Sequence, residues 1–322
     1  MKKIFLLVLL FAVCTLQAQI SGCTDPLSKN YNPAATINDG SCTYVSVRIK
    51  PKYSVTLNAL LKETSSLVQS DSLLWTCNDN SETVLYGMTT KGVIHNKIKL
   101  KNITNTDWEA ISQDSDYFYI GDFGNNLTGN RRDLHILRVE KKSINAANPK
   151  IDTLSFSYSN QKDFKTNTAN QTNFDCEAFI VSSQNIYLFT KQWKDEGTSV
   201  YVIPKIPGKH IAQLRESYDV DGLVTSATFL PEKKLLVLAG YSKFLSPFLY
   251  LFYDYNGSNF FSGNKRKISI ALPLHQMEGI TTKDGLHYYL TNENFSRRPI
   301  VTISQKLHLF DLSAYLSKYL KK

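Results

Sequence analysis

Three acidic residues, Glu109, Glu177 and Glu278, share one local setting. The segments "DWEAI", "DCEAF" and "QMEGI" each put a carboxylate beside a small residue at the head of an apolar run. Ser65 in "TSSLV" and Ser226 in "VTSAT" fit the same frame with a hydroxyl in place of the acid. Carboxylate and hydroxyl oxygens are the donors that a hard cation takes, and Ca²⁺ suits an all-oxygen set better than Zn²⁺ does. Carboxylates brought to one place repel each other unless a cation sits among them or their pKa values rise. Ser65, Glu109, Glu177, Ser226 and Glu278 are therefore the candidate ligands of a calcium ion. The competing reading has the acids capping strand ends or pairing with Lys or Arg.

Such a convergence needs elements that repeat. The five positions recur at intervals of roughly 40 to 70 residues, the span of a four-stranded propeller blade with variable outer loops. After each comes a second apolar strand ending in polar residues, as in "YFYIGDFGNN", "NIYLFTKQ" and "HYYLTNEN". Candidate outer strands are "TLSFSYS" and "KRKISIAL", and the polar run 160–173 reads as a loop. The fold class is all-β, a five-bladed β-propeller, with six blades as the alternative if "VSVRIKPKYSV" and C-terminal residues form another. In the five-bladed form "VSVRIK" closes the ring on the last blade, because a propeller must hide its terminal edges. A β-sandwich is the main competing class, and repetition of one strand-turn-strand unit argues against it.

Inner strands of a propeller line its axis, so the acids would form a ring there. A second polar layer lies at the ends of the second strands. Asp79, Asp122, Asn125, Asn126, Lys191 and Glu293 are its candidate ligand-binding residues, with Asn78, Thr190 and Asn292 beside them. Arg131, Arg132, Arg297 and Arg298 follow closely, and Arg suits carboxylate or phosphate ligands. If the site is catalytic, Glu109 or Asp122 is the candidate base. Other chemistry finds no footing. The six His residues have no metal-ligand spacing, and the nucleophile elbow, Walker and dinucleotide-binding motifs are all missing. Trp193 fits either packing or stacking on a ligand.

The chain opens "MKKIFLLVLLFAVCTLQAQ", two lysines and an apolar run with Ala18 at a plausible cleavage point, which reads as a signal peptide over 1–18. Acylation of Cys14 is the alternative. No later segment offers the roughly 18 unbroken apolar residues of a membrane span. A secreted or periplasmic chain meets oxidising conditions, and Cys23 and Cys42, bracketing one turn-rich segment, are the natural pair. Cys77 and Cys176 are then buried thiols. That divides the chain into a signal peptide (1–18), a small Cys-bounded module (19–45) and the propeller (46–322). The formal charge is +9, but the basic residues are scattered, which argues against nucleic acid as a partner. A monomer acting on a small anionic ligand or an extracellular partner is expected.

Two resemblances rest on these residues. "LLWTCNDNSETVLYG", "DWEAI", "YIGDFGNN", "CEAF", "VTSATFLP" and "MEGIT" together resemble a group of exported bacterial propellers of the phytase-like esterase and SdiA-regulated type, over roughly residues 64–294. Departures are Cys77, where relatives often carry His, and 226–228, where they carry Gly-Ala-Asp. The order Ser65, Glu177, Ser226, Glu278, with Glu109 or Asp107 as second member, is similar to the axial calcium site of calcium-activated apyrases. That similarity implies a metal more than a reaction. "CTDPLSKNYNPAATINDGSC" resembles a short module of exported bacterial proteins, where Asp25, Asn30, Asn32, Asn38 and Asp39 would either bind Ca²⁺ or cap tight turns. The implied functions are binding of a ligand or partner at the channel mouth, hydrolysis of phosphate esters or anhydrides, or lactone hydrolysis.

Overall fold

The computed structural model describes residues 19–166 and 168–321; the expected signal peptide and Cys14 lie outside them. Runs rich in Tyr, Phe, Val, Ile and Leu, cut by Asn, Asp, Gly and Ser, form strands here because such side chains fill a pleated, half-buried surface. The main strands fall into five antiparallel groups of four, the second and third hydrogen-bonded into one eight-stranded sheet and the fourth extended by a fifth strand. The first is Val68–Ser70, Leu73–Thr76, Val84–Met88 and Ile94–Lys99. The second is Trp108–Gln113, Tyr117–Asp122, His135–Glu140 and Ile151–Tyr158. The third is Asp175–Val181, Asn185–Lys191, Thr198–Pro204 and Gly208–Tyr218. The fourth is Leu223–Leu230, Leu235–Tyr241, Pro247–Tyr253 and Asn264–Ile270. The fifth joins Met277–Thr281, His287–Asn292 and Lys306–Asp311 to Tyr53–Thr56 from the front of the chain.

Each unit's leading strand touches the leading strands of its two neighbours, the fifth returning to the first. Five apolar clusters fill the spaces between adjacent sheets, one per pair, so the layers close on themselves in a propeller-like ring. Gly279 shows how tight the closure is. A Cβ there would stand 2.8 Å from Leu67 Cβ and 2.3 Å from Thr291 Oγ1, so a larger residue would push the last inner strand off the first.

One strand assignment differs from expectation. "VSVRIK" does not complete the last sheet: Arg48–Ile49 runs parallel to Asn264–Ile270 at the edge of the fourth. Tyr53–Thr56, a few residues on, pairs with Lys306–Asp311 and closes the ring. The hydrophobic alternation of "VSVRIK" fits either edge; the reach of the chain after it decides. Strand Gly208–Tyr218 also serves two sheets. Residues 208–212 pair parallel with Ile151–Tyr158, while 213–218 pair with Thr198–Pro204.

The front module carries the Cys23–Cys42 disulfide, and Cys77 and Cys176 are buried thiols. Its polar side chains cap turns: Asp25 takes the Leu27 N–H, Asn32 that of Ala34, Asn38 that of Gly40 and Asp39 that of Ser41. Rather than hanging free, the module docks on the fourth sheet. Asp25 accepts from the Tyr44 and Tyr253 hydroxyls, and the Asn38 amide donates to Asp254 and Asn264. Asp25→Ala leaves the buried Tyr253 hydroxyl and the half-buried Tyr44 hydroxyl without their shared carboxyl acceptor. It is expected to cost roughly 2–3 kcal/mol in urea denaturation and to make the module the first segment cut in limited proteolysis.

Candidate functional site

A shared backbone irregularity builds the site. In the second, third, fourth and fifth sheets the register between first and second strands slips by one residue. The extra residue is Glu109, Glu177, Thr225 and Glu278 in turn. In the first sheet Ser65 follows the Thr64–Asn78 bridge at the same place. A bulge leaves its residue unpaired and re-aims its side chain, here towards the axis. The fourth member is thus Thr225, one residue before the Ser226 chosen by sequence alignment. Ser226 Oγ is taken up by the Ile280 N–H at 3.2 Å, and neither Thr225 nor Ser226 lines the axial cavity. The register also places Glu109, not Asp107, beside Glu177 and Glu278.

The two hydroxyls do identical work. Ser65 Oγ donates to the Trp108 carbonyl at 2.7 Å, and Thr225 Oγ1 donates to that of Met277, in each case the residue before the neighbouring sheet's bulge. They tie adjacent inner strands together where the other sheets present acids.

Pleat parity sorts the second polar layer. Asn78, Asp122, Thr190 and Asn292 pair with Thr64, Trp108, Cys176 and Met277 and point into the sheets. Their successors alternate to the other side, so Asp79, Lys191 and Glu293 face the axis, as does Tyr241 after Gly240 in the fourth sheet; Phe123 of the second sheet packs instead between the second and third sheets, against Phe156 and Phe179. A cavity of about 240 Å³ lies between the layers, lined by Ser65, Glu109, Glu177, Glu278 and by Asp79, Lys191, Tyr241, Gln276 and Glu293. Asn126 borders it, and so do Asn170 from the 160–173 loop and Trp193.

Asp122 and Asn125 are elsewhere. The Asp122 carboxylate is fully buried, paired with Arg131 at 2.8 Å, and accepts the backbone N–H groups of Thr106 and Asp107. No face of it remains to take a proton from a substrate, so the expected base role does not hold for Asp122. Asn125 spends its side chain on the Phe174 carbonyl and the Arg131 N–H.

One cation stands among the cavity acids. Lys191 Nζ meets Glu177 Oε1 at 2.9 Å and lies against the rings of Trp193 and Tyr241, 4.7 and 5.3 Å from their centres. Burial opposes its charge, but the surrounding carboxylates, Glu177 foremost, outweigh burial and raise its pKa. Trp193 is held in turn by its indole N–H on Asp175 at 2.8 Å. Glu109 is 6 % exposed, and among the described residues no group donates a hydrogen bond to its carboxylate. Gly124 makes room for it, since a Cβ there would stand 2.3 Å from Asp107 Oδ2 and 2.6 Å from Glu109 Oε1.

This acid excess governs titration. Burial first, then the neighbouring charges, raises Glu109 and Glu278 well above the ordinary carboxylate range. The same causes push Asp79 up to about 6 and Asp107 and Glu293 up to about 7. Among the described residues no three His, Cys, Asp or Glu side chains are already gathered as a metal-ligand set. The donors around the cavity are nonetheless all oxygens apart from Lys191 and the side-chain nitrogens of Asn126, Asn170, Trp193 and Gln276, the chemistry of a hard-cation site.

Sequence reasoning missed Tyr241, Gln276 and Asn170. Tyr241 and Gln276 become visible only once the bulge register is known, and Asn170 arrives on a loop with no repeat to mark it. No family model matches the chain, and no curated protein does. Many solved structures overlap it, these three among them. A Bacteroides uniformis protein provisionally described as a 6-phosphogluconolactonase matches at 14% identity and TM-score 0.38, over 79% of this chain and 74% of that one. A mitotic checkpoint complex chain matches at 12% and 0.40, over 81% and 95%. The computationally designed Ika4 protein matches at 11% and 0.30, over 67% and 97%. Overlaps of this strength transfer no residue and no activity.

The raised carboxyls fix the sign of the pH dependence. In the folded chain they keep protons that the unfolded chain has lost, so their stabilising contribution is complete below about pH 4 and disappears as pH climbs through 6 to 7. Metal-free protein should therefore melt at progressively lower temperature from pH 4 to pH 8 in a calorimetric series. Lys191→Met strips Glu177 of its partner, whose carboxyl burial already holds well above the ordinary range, and a loss of about 3–5 kcal/mol at pH 7 is expected in denaturant titrations, shrinking towards pH 4, where the same carboxyl is protonated in the unfolded chain as well.

Proposed function

We propose that the chain is an exported five-bladed β-propeller that holds a calcium ion in its axial cavity and binds a ligand or partner at the channel mouth above it. The Glu109 carboxylate carries this reading: buried, without a donor, and facing a cavity shared with Glu278, Asp79 and Glu293 against the single charge of Lys191. Ca²⁺ takes six to eight oxygens in flexible geometry. Glu109, Glu278, Ser65 and the Gln276 amide oxygen would hold it, with water bridging the remaining distance and Glu177 kept by Lys191. The bound ion would neutralise the acid excess and offer free coordination sites towards the mouth. Export is supported by the module's disulfide, which persists in oxidising compartments; among the described residues no helix is long and apolar enough to cross a membrane.

Hydrolysis of phosphate esters would now depend on Glu109 alone as base, with Asp122 sealed by Arg131. Lactone hydrolysis draws on no particular side chain. Binding is accordingly the function proposed.

The test is a thermal melt of metal-stripped protein titrated with CaCl₂ at pH 7. Saturation at about 100 times the dissociation constant is worth about 2.7 kcal/mol, a rise of ~5 °C for a chain of this size. Glu109→Gln and Glu278→Gln should lose that rise while melting higher than wild type without metal, since each removes a buried carboxyl whose ionisation the fold opposes. A wild-type melting temperature indifferent to Ca²⁺ would sink the metal reading.

A further inference from the structure

The seam where the second and third sheets share a strand carries a second polar site, away from the axis. His135 pairs with Ser155, and Ser155 pairs with Lys209. Directly opposed residues leave a sheet on the same side, so these three side chains form a row across three strands. Thr153 and Ser157, two positions either way along the middle strand, share that side. Arg132 arrives from the segment preceding His135, its guanidinium lying 3.7 Å over the Phe164 ring. These six line a groove of about 470 Å³ that shares no residue with the axial cavity.

The charge balance of the groove is positive. Among the described residues Arg132 and Lys209 have neither a carboxylate nor a hydrogen-bond partner. Asp133, the one carboxylate in the lining, is bonded to Arg131 Nε at 3.1 Å. His135 directs Nδ1 to the Asp133 carbonyl at 2.7 Å, and its Nε2 is 4.0 Å from Asp122, which Arg131 already neutralises. His210, at the far edge, is held by the Ile206 carbonyl at 2.6 Å.

We propose that this groove binds a tetrahedral oxyanion carried as an ester on a sugar-sized molecule, a phosphate or a sulfate. A guanidinium held over an aromatic ring is restrained by it while its donors stay free, the fork that meets such oxyanions in pairs. Lys209 adds a point charge, and the row of hydroxyls supplies donors for the remaining oxygens. The volume falls in the range of small-molecule sites, with room beyond the anion for the body that carries it.

The full chain is titrated calorimetrically with mannose 6-phosphate and N-acetylglucosamine 6-sulfate, and with the two unmodified sugars. Binding of at least one ester roughly tenfold or more tighter than its parent sugar is expected, weakening as salt is raised. The tighter ester identifies the source of the oxyanion. Arg132→Gln and Lys209→Gln, both at exposed positions, should each weaken the ester roughly tenfold without moving the melting temperature. Parent sugars binding as well as their esters would overturn the assignment. So would variants that bind like wild type, or no ester binding below about 10 mM.

Discussion

Everything at the centre of this protein follows from burying several carboxylates around one lysine. Five inner strands meeting at an axis leave little room, and charge placed there loses the water that would screen it. Lys191 answers for Glu177, while Glu109 faces the cavity without a donor. Two sheets avoid the difficulty by carrying hydroxyls, and those hydroxyls hold the neighbouring strands instead. Ring closure and site chemistry thus compete for the same five positions, three given to charge and two to strand cohesion.

The bulge is what makes the competition visible. Without the extra residue, the side chains at 109, 177 and 278 would take their turn in the regular alternation of a paired strand. With it, three acids face the axis while the residues after them return to packing between sheets. The same parity separates Asp79 and Glu293, which face the cavity, from Asp122 and Asn292, which do not, although all four end similar apolar strands.

Much of this was legible in the sequence. The all-β class and the repeat followed from apolar runs of matching length, and the three glutamates and the Cys23–Cys42 pair were marked by spacing alone. What spacing could not supply was register. Thr225 and Ser226 are adjacent hydroxyl residues, and only the backbone pairing decides between them. Asp122 looked equivalent to Lys191 because both close a strand; one residue of offset turns it towards Arg131 instead. The module's asparagines read equally as ion ligands or turn caps, since both uses employ the same side-chain oxygens, and the neighbouring N–H groups decided for caps.

The strand Tyr53–Thr56 completes a sheet whose other members lie at the opposite end of the chain: Ser54 and His308, hydrogen-bonded to one another, are 254 residues apart in sequence. A chain that emerges from its N-terminus must hold that segment unpaired until almost the whole polypeptide is available. Contacts of such separation are slow to form, because the entropy of closing the intervening loop is lost before any pairing is gained. The latch of the ring therefore cannot close before its last strand is available, and a molecule crossing a membrane in extended form would acquire its axial cavity only after its final strand had followed.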